Sequence, residues 1–228
     1  MLYNLLFPLS EQYQLLNVFK YLTFRSGGAL LTSLLISFLI GGWLIRWLKS
    51  WQKQGQPIRD DGPQTHLETK KGTPTMGGLM ILFSVTLSTL LWTDIKNPYV
   101  WIVLFVTIAY GLLGFMDDYL KVKKQNTKGV RAKAKLLGQI IVALLACYMV
   151  QHVAEEVYKT HVAIPFVKSL LLDFGVFYGI FVMLVIVGAS NAVNLTDGLD
   201  GLAIVPIAIA AASFGFISYL VGNVVYSN

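Results

Sequence analysis

Apolar runs of about twenty residues, separated by shorter polar connections, set the pattern of this chain. Charge-free intervals run from Ser26 to Ile45, Gly72 to Thr93, Asn97 to Met116, Leu136 to Ala154, Phe174 to Thr196 and Gly201 to Asn228. In the second, the apolar part starts near Met76. Each interval is close to the ~20 residues a helix needs to cross a hydrocarbon core of ~30 Å. Strands of a membrane barrel take about 10 residues and alternate apolar with polar, and this chain shows no such alternation. The pattern predicts an all-α integral membrane protein, a polytopic bundle of about six transmembrane helices forming one domain over residues 1–228. Residues 1–25 are mixed: Leu5, Leu6 and Phe7 are followed by Pro8, Glu11, Lys20 and Arg25. A signal peptide would have a basic start and a small-residue cleavage site. An amphipathic segment at the interface is expected instead.

Composition agrees with a membrane protein. Of 228 residues, 55% are hydrophobic and 13% charged, and the mean hydropathy is +0.63. The single Cys147 sits inside an apolar run, which excludes a disulfide framework and reads as a packing residue. The net charge of +6 bears on topology rather than on nucleic acid, for which no partner role is expected. Thirteen of the 18 basic residues fall in two connections, Arg46 to Lys71 and Asp117 to Lys135. The positive-inside rule puts both in the cytoplasm and the N-terminus outside. The expected cytoplasmic loops are 46–75, 117–135 and 191–200. Trp43, Trp47, Trp51, Trp92, Tyr99 and Trp101 lie near span ends and read as interface anchors.

This topology brings distant acids to one membrane surface. Asn191, Asn194, Asp197 and Asp200 follow one another at three-residue spacing, with Gly198 and Gly201 after the aspartates. Isolated carboxylates near hydrocarbon cost several kcal/mol and persist where they meet water, a partner or a metal. Residues three apart share a helix face, so Asn194, Asp197 and Asp200 can point together. Their hard oxygens suit Mg²⁺, which takes one or two carboxylates plus substrate phosphates. Asp117 and Asp118 end the third interval. Adjacent residues diverge by about 100° on a helix, so the two acids are expected to do different jobs: one faces a metal or nucleophile and the other orients a lysine or backbone group. The plainer alternative pairs them with Lys121, Lys123 and Lys124 as helix-end charges. The stretch Lys70-Lys-Gly-Thr-Pro-Thr75-Met-Gly-Gly78 leads into the second span and offers N–H groups, hydroxyls and lysines to an anion; a capping Thr75 with a packing glycine pair is the alternative. The lysines between Lys121 and Lys135 read as a basic loop, or as an attraction for acidic lipid head groups or an anionic nucleotide. His66, His152 and His161 are isolated. A carrier or channel is the competing class, but a conduction path needs polar groups at mid-bilayer and the span centres are charge-free.

Taken together, Lys70 to Gly78, Gly114-Phe-Met-Asp-Asp-Tyr119 and Asn191-Ala-Val-Asn-Leu-Thr-Asp-Gly-Leu-Asp-Gly-Leu202 resemble the polyprenyl-phosphate phospho-sugar transferases, in motif order and span spacing over the whole chain. The Thr-Pro-Thr-Met-Gly-Gly run and the Thr before Asp197 favour the muramoyl-pentapeptide branch over the N-acetylglucosamine-1-phosphate branch. The resemblance implies a Mg²⁺-dependent enzyme of the bacterial inner membrane with a cytoplasmic active site. Its substrates would be UDP-MurNAc-pentapeptide and undecaprenyl phosphate, and its products UMP and lipid I, in the first membrane step of peptidoglycan synthesis. By position, Asp117 is the implied base or nucleophile and Asp118 its support. Lys70, Thr75, Asn194, Asp197 and Asp200 are the implied substrate-binding residues, and Asp117 and Asp197 the implied metal ligands. The family tends to pair, so membrane lipids and a second copy are expected partners. It has ten spans against six here. The expectation is therefore a fragment, lacking a further metal-binding aspartate and a histidine-rich motif and inactive by itself.

Overall fold

A computed structural model describes residues 1–52, 55, 73–164, 170–197 and 201–222. It is mainly helical, and among the described residues five helices are long and apolar enough to cross a membrane. After a short helix α1 (Leu2–Leu6) and two 3₁₀ segments (Phe7–Glu11, Gln14–Lys20) come α2 (Leu22–Trp51), α3 (Gly78–Trp92), α4 (Pro98–Lys124) and α5 (Ala132–Val153). A two-stranded antiparallel hairpin, β1 (His161–Ala163) and β2 (Leu171–Asp173), precedes α6 (Tyr178–Thr196) and α7 (Ile204–Val221). The hairpin lies in a connection where the apolar pattern carries no signal for it.

Local chemistry sets the helix limits. At the start of α4, Asn97 Oδ1 accepts the Tyr99 N–H at 3.0 Å and Pro98 occupies the first helical position, a pairing that satisfies one orphan donor and omits another. The helix ends at Gln125, whose φ is 47°. Its last turn carries Lys121, Lys123 and Lys124, which suits the negative end of the helix dipole. The second apolar interval is shortened. Pro74 biases Thr73 away from helix, and Met76 has φ 75°. Helix α3 therefore begins only at Gly78 and has 15 residues, roughly 22 Å, with the Thr73–Met76 stretch left unwound.

Helices α2 and α3 approach along small residues. Ser37 Oγ donates to Ser84 Oγ at 3.1 Å, and Gly41 faces the Met80 sulfur. Small side chains let backbones approach where lipid offers no hydrophobic drive. Helices α4, α5 and α6 follow in sequence order, each on its predecessor. At the end of the bundle that carries the basic connections, Leu48, Met76 and Val122 form a buried cluster joining α2, the unwound stretch and α4. Trp43, Trp47 and Trp51 stack in a ladder along α2, and Trp51 stacks on Tyr119 at 5.7 Å. At the opposite end, the Met1 ammonium donates to Leu90 O and Thr93 O, each at 2.8 Å, satisfying carbonyls at the end of α3. Trp92, read as an interface anchor, stacks on Phe19, and its indole N–H donates to Thr32 Oγ1 at 2.9 Å.

Candidate active site

The two adjacent acids at the end of α4 have different partners. Asp117 Oδ1 accepts the Val130 N–H at 2.8 Å, and Oδ2 meets Lys121 Nζ at 2.6 Å. Asp118 turns the other way. Its Oδ2 accepts the Thr75 hydroxyl at 3.1 Å, and Oδ1 lies 3.3 Å from Lys121 Nζ. Lys121 thus spans both carboxylates, one and the other a helical turn behind it. Thr75 does not cap α3, whose N-cap is Gly77; its hydroxyl serves Asp118.

The turn after α4 closes over Asp117. Lys128 N donates to Asn126 Oδ1 at 3.1 Å, and Gly129 follows in a left-handed conformation, φ 56°. A Cβ at Gly129 would fall onto Asp117 Oδ1 and within 3.0 Å of its Cγ. Glycine is therefore required twice, for its φ and for the close approach. The pair Gly129-Val130 delivers a backbone donor to the carboxylate.

Helix α5 contributes the next cation. Lys135 Nζ stands 4.0 Å from Asp117 Oδ2 and also lines a cleft of about 410 Å³ with Asn194, Asp197, Ser190 and Gly114. Lys135 thus lies beside Asp117 and borders the same cleft as the stretch at the end of α6. Asn194 and Asp197, one helical turn apart, are both exposed and both line this cleft. Asn191, from the same stretch, points elsewhere: its Nδ2 donates to Gln139 Oε1 at 2.9 Å and to Val187 O at 2.8 Å. Gln139 is buried; its backbone carbonyl accepts the Tyr110 hydroxyl at 3.1 Å, and its Nε2 reaches Ser190 Oγ at 3.4 Å. This network ties α4, α5 and α6 together beneath the cleft. Buried polar groups of this kind persist because they are bonded.

Of the residues singled out in the sequence, Asp118 meets Thr75 directly, Asp117 shares Lys121 with Asp118, and Asn194 and Asp197 line a cleft that Lys135 also lines. Lys70 and Asp200 lie outside the described residues, as does most of the 46–75 connection. Lys135 carries no individual reading in the sequence, only the shared one of a basic loop or an attraction for acidic head groups or an anionic nucleotide. Its signal is positional: Lys133 and Lys135 lie in the first turn of α5, with Arg131 at its N-cap. Cations are disfavoured at this positive end of a helix unless anions stand opposite. Gln139 and Gly129 carried no signal of their own.

The donor set bears on a metal. Both oxygens of Asp117 are engaged by an N–H or an ammonium, with a second ammonium at 4.0 Å, so its coordination sphere does not fit a cation. Asn194 and Asp197 both line the cleft, and their amide and carboxylate oxygens are of the kind that suits Mg²⁺ with water and phosphate completing its shell. No group of three or more His, Cys, Asp or Glu that could hold a metal occurs among the described residues.

Comparison with known proteins follows the same residues. Proteins named phospho-N-acetylmuramoyl-pentapeptide-transferase from Granulibacter bethesdensis, Rickettsia felis and Rickettsia montanensis are each 56% identical to this chain over its whole length. The chain spans 63% of the length of these relatives. Residues 70–82, which hold Thr75, match phospho-N-acetylmuramoyl-pentapeptide-transferase signature 1. Residues 100–227, which supply Asp117, Asp118, Lys121, Lys135, Asn194 and Asp197, match the model of glycosyl transferase family 4, and the chain belongs to that family.

Proposed function

We propose that this chain carries part of the catalytic centre of a phospho-sugar transferase acting on UDP-MurNAc-pentapeptide and undecaprenyl phosphate. The carrying observation is Lys135, placed between Asp117 and the cleft of Asn194 and Asp197. Lys121 and Lys135 are cations for two phosphorylated substrates, held in place by the acids beside them. In the reaction, a phosphate oxygen of the lipid attacks the β-phosphorus of the nucleotide. The bond between that phosphorus and the UMP oxygen breaks, UMP leaves, and the sugar remains on the lipid as a pyrophosphate. Asp117 serves as base or nucleophile beside the lipid phosphate, and Asp118 supports it through Lys121 and Thr75. Lys70 and Asp200 complete the nucleotide side of the reading.

Asp197 with Asn194 would hold Mg²⁺, which would supply charge to offset that of the pyrophosphate. The basic end of the bundle faces the cytoplasm of a bacterium, by the positive-inside rule, and the helices span its inner membrane. A second copy as partner rests on the family likeness alone. The muramoyl branch is favoured over N-acetylglucosamine-1-phosphate transfer by the signature at residues 70–82.

The test is UMP release from UDP-MurNAc-pentapeptide in vesicles with undecaprenyl phosphate, using this chain carried to the full length of its relatives. Asp117→Asn and Asp197→Asn are each expected to reduce release by at least about 10²-fold. If both keep release near the starting rate, the site is misassigned.

A further inference from the structure

We propose that Gln52 is a positioning residue for Asp118, acting through the backbone of Thr75. Gln52 ends α2 and is only 3% exposed. A buried carboxamide persists where its polar atoms are bonded. Its Oε1 accepts the Thr75 N–H at 2.9 Å, and its Nε2 donates to the Thr75 carbonyl at 3.2 Å. Two antiparallel bonds thus fall on one residue, as between neighbouring strands. The reverse amide orientation would set donor on donor, so the pairing fixes it.

Thr75 has no regular element to hold it. It follows Pro74, precedes Met76 at φ 75°, and lies three residues before the start of α3. The end of α2 supplies what the stretch lacks. Gln52 clasps the Thr75 peptide, and Leu48, one turn earlier, packs against Met76. With its backbone held, Thr75 aims its hydroxyl at Asp118 Oδ2. The clasp therefore runs from α2 to the acid of α4 without Gln52 touching that acid. Glutamate at position 52 would keep the shape but set a carboxylate oxygen against the Thr75 carbonyl. Asparagine is one methylene too short to reach both atoms. What this positioning does for transfer rests on the function proposed above; the positioning itself does not.

The experiment needs no turnover. The 228-residue chain in lipid nanodiscs is treated with a carbodiimide, and labelling of Asp118, whose side chain is 35% exposed, is read by mass spectrometry. Amide exchange over residues 73–80 is followed in parallel. Gln52→Glu and Gln52→Ala should each speed exchange at Thr75 and raise Asp118 labelling roughly two- to tenfold, the factor of one hydrogen bond. Thr75→Val should raise labelling by a similar factor, and adding it to Gln52→Ala should raise it no further, because the two act in series. Faster exchange at Thr75 with unchanged Asp118 labelling overturns the proposal, and so does an additive double variant. Exchange across α4 reports folding, and where Gln52→Ala disturbs it, the isosteric Gln52→Glu decides. UMP release by Gln52→Glu at full relative length separates the two readings: a positive labelling cycle with unchanged release keeps the positioning and removes Asp118 from the reaction.

Discussion

Lys135 Nζ lies 4.0 Å from Asp117 Oδ2, and Lys135 borders the cleft that Asp197 also lines, so one lysine stands near acids 80 positions apart in the chain. At that distance the pair is a loose contact without hydrogen-bond geometry, and such pairs add little stability, typically under about 1 kcal/mol. A lysine so placed is more useful to a phosphate. Lys135→Met should lower UMP release by about 10- to 100-fold, the range for a hydrogen bond to a charged group, while the unfolding midpoint stays unchanged. Lys135→Arg should fall between, because it keeps the charge with a different head geometry. A large fall in unfolding midpoint would make Lys135 structural instead.

The helical architecture was legible because uninterrupted apolar length is a strong signal and because Asn97-Pro98 marks the start of α4. In the second interval the apolar part begins near Met76, close to the start of α3 at Gly78, but lack of charge says nothing of the left-handed backbone at Met76. The paired acids were legible as a pair with divergent roles, since adjacent helical positions cannot share one direction. Of their partners, Lys121 was legible, a helical turn along the same helix. Gly129 and Lys135, and Gln52 acting through Thr75, were not, because tertiary contacts leave no periodicity. Asn191 shows the converse: three-residue spacing grouped it with Asn194, yet its side chain bonds Gln139 on α5.

Gly129 and Gly175 offer a controlled comparison. Both have positive φ, 56° and 48°, and a side chain at either costs about 1–2 kcal/mol of backbone strain. A Cβ at Gly175 meets nothing within 4 Å, whereas at Gly129 it strikes the Asp117 carboxylate. Gly129→Ala should therefore cost the strain plus about 1 kcal/mol for the Val130 bond and sharply reduce UMP release. Gly175→Ala should cost the strain alone and leave release intact. Thermal unfolding and the release assay, run on both variants, check this.

At the opposite end, acid should loosen the N-terminal segment. Asn4 Nδ2 donates to Asp94 Oδ1 at 2.7 Å, and the Lys96 backbone N–H adds a second bond at 2.9 Å. These donors hold the Asp94 carboxyl below its ordinary value. A folded-state value below the unfolded one contributes stability above the unfolded value, and that contribution is lost as pH falls through the folded one. Protease sensitivity of residues 1–20 should accordingly rise below about pH 4 and stay level from pH 5 to 8. Asp94→Asn should remove this pH response, and a response that survives it would assign the titration to another group.

The tightest contact between α2 and α3 yields a prediction of opposite sign at neighbouring residues. Gly28 faces the Trp92 ring so closely that a Cβ would lie 2.5–2.6 Å from three of its carbons. The ring has little room to retreat: Phe19 stacks on it at 5.8 Å, Phe24 meets it edge-on at 5.8 Å, and Thr32 holds its N–H. Gly28→Ala should therefore destabilise by about 1–3 kcal/mol, the usual cost of overpacking. Gly27 points into open space, so Gly27→Ala should stabilise by up to about 1 kcal/mol through helix propensity. Combining Gly28→Ala with Trp92→Leu isolates the cause. If the ring is the obstacle, the double variant loses less than the sum of the singles. Additive losses in thermal unfolding would place the strain elsewhere along the seam of α2 and α3.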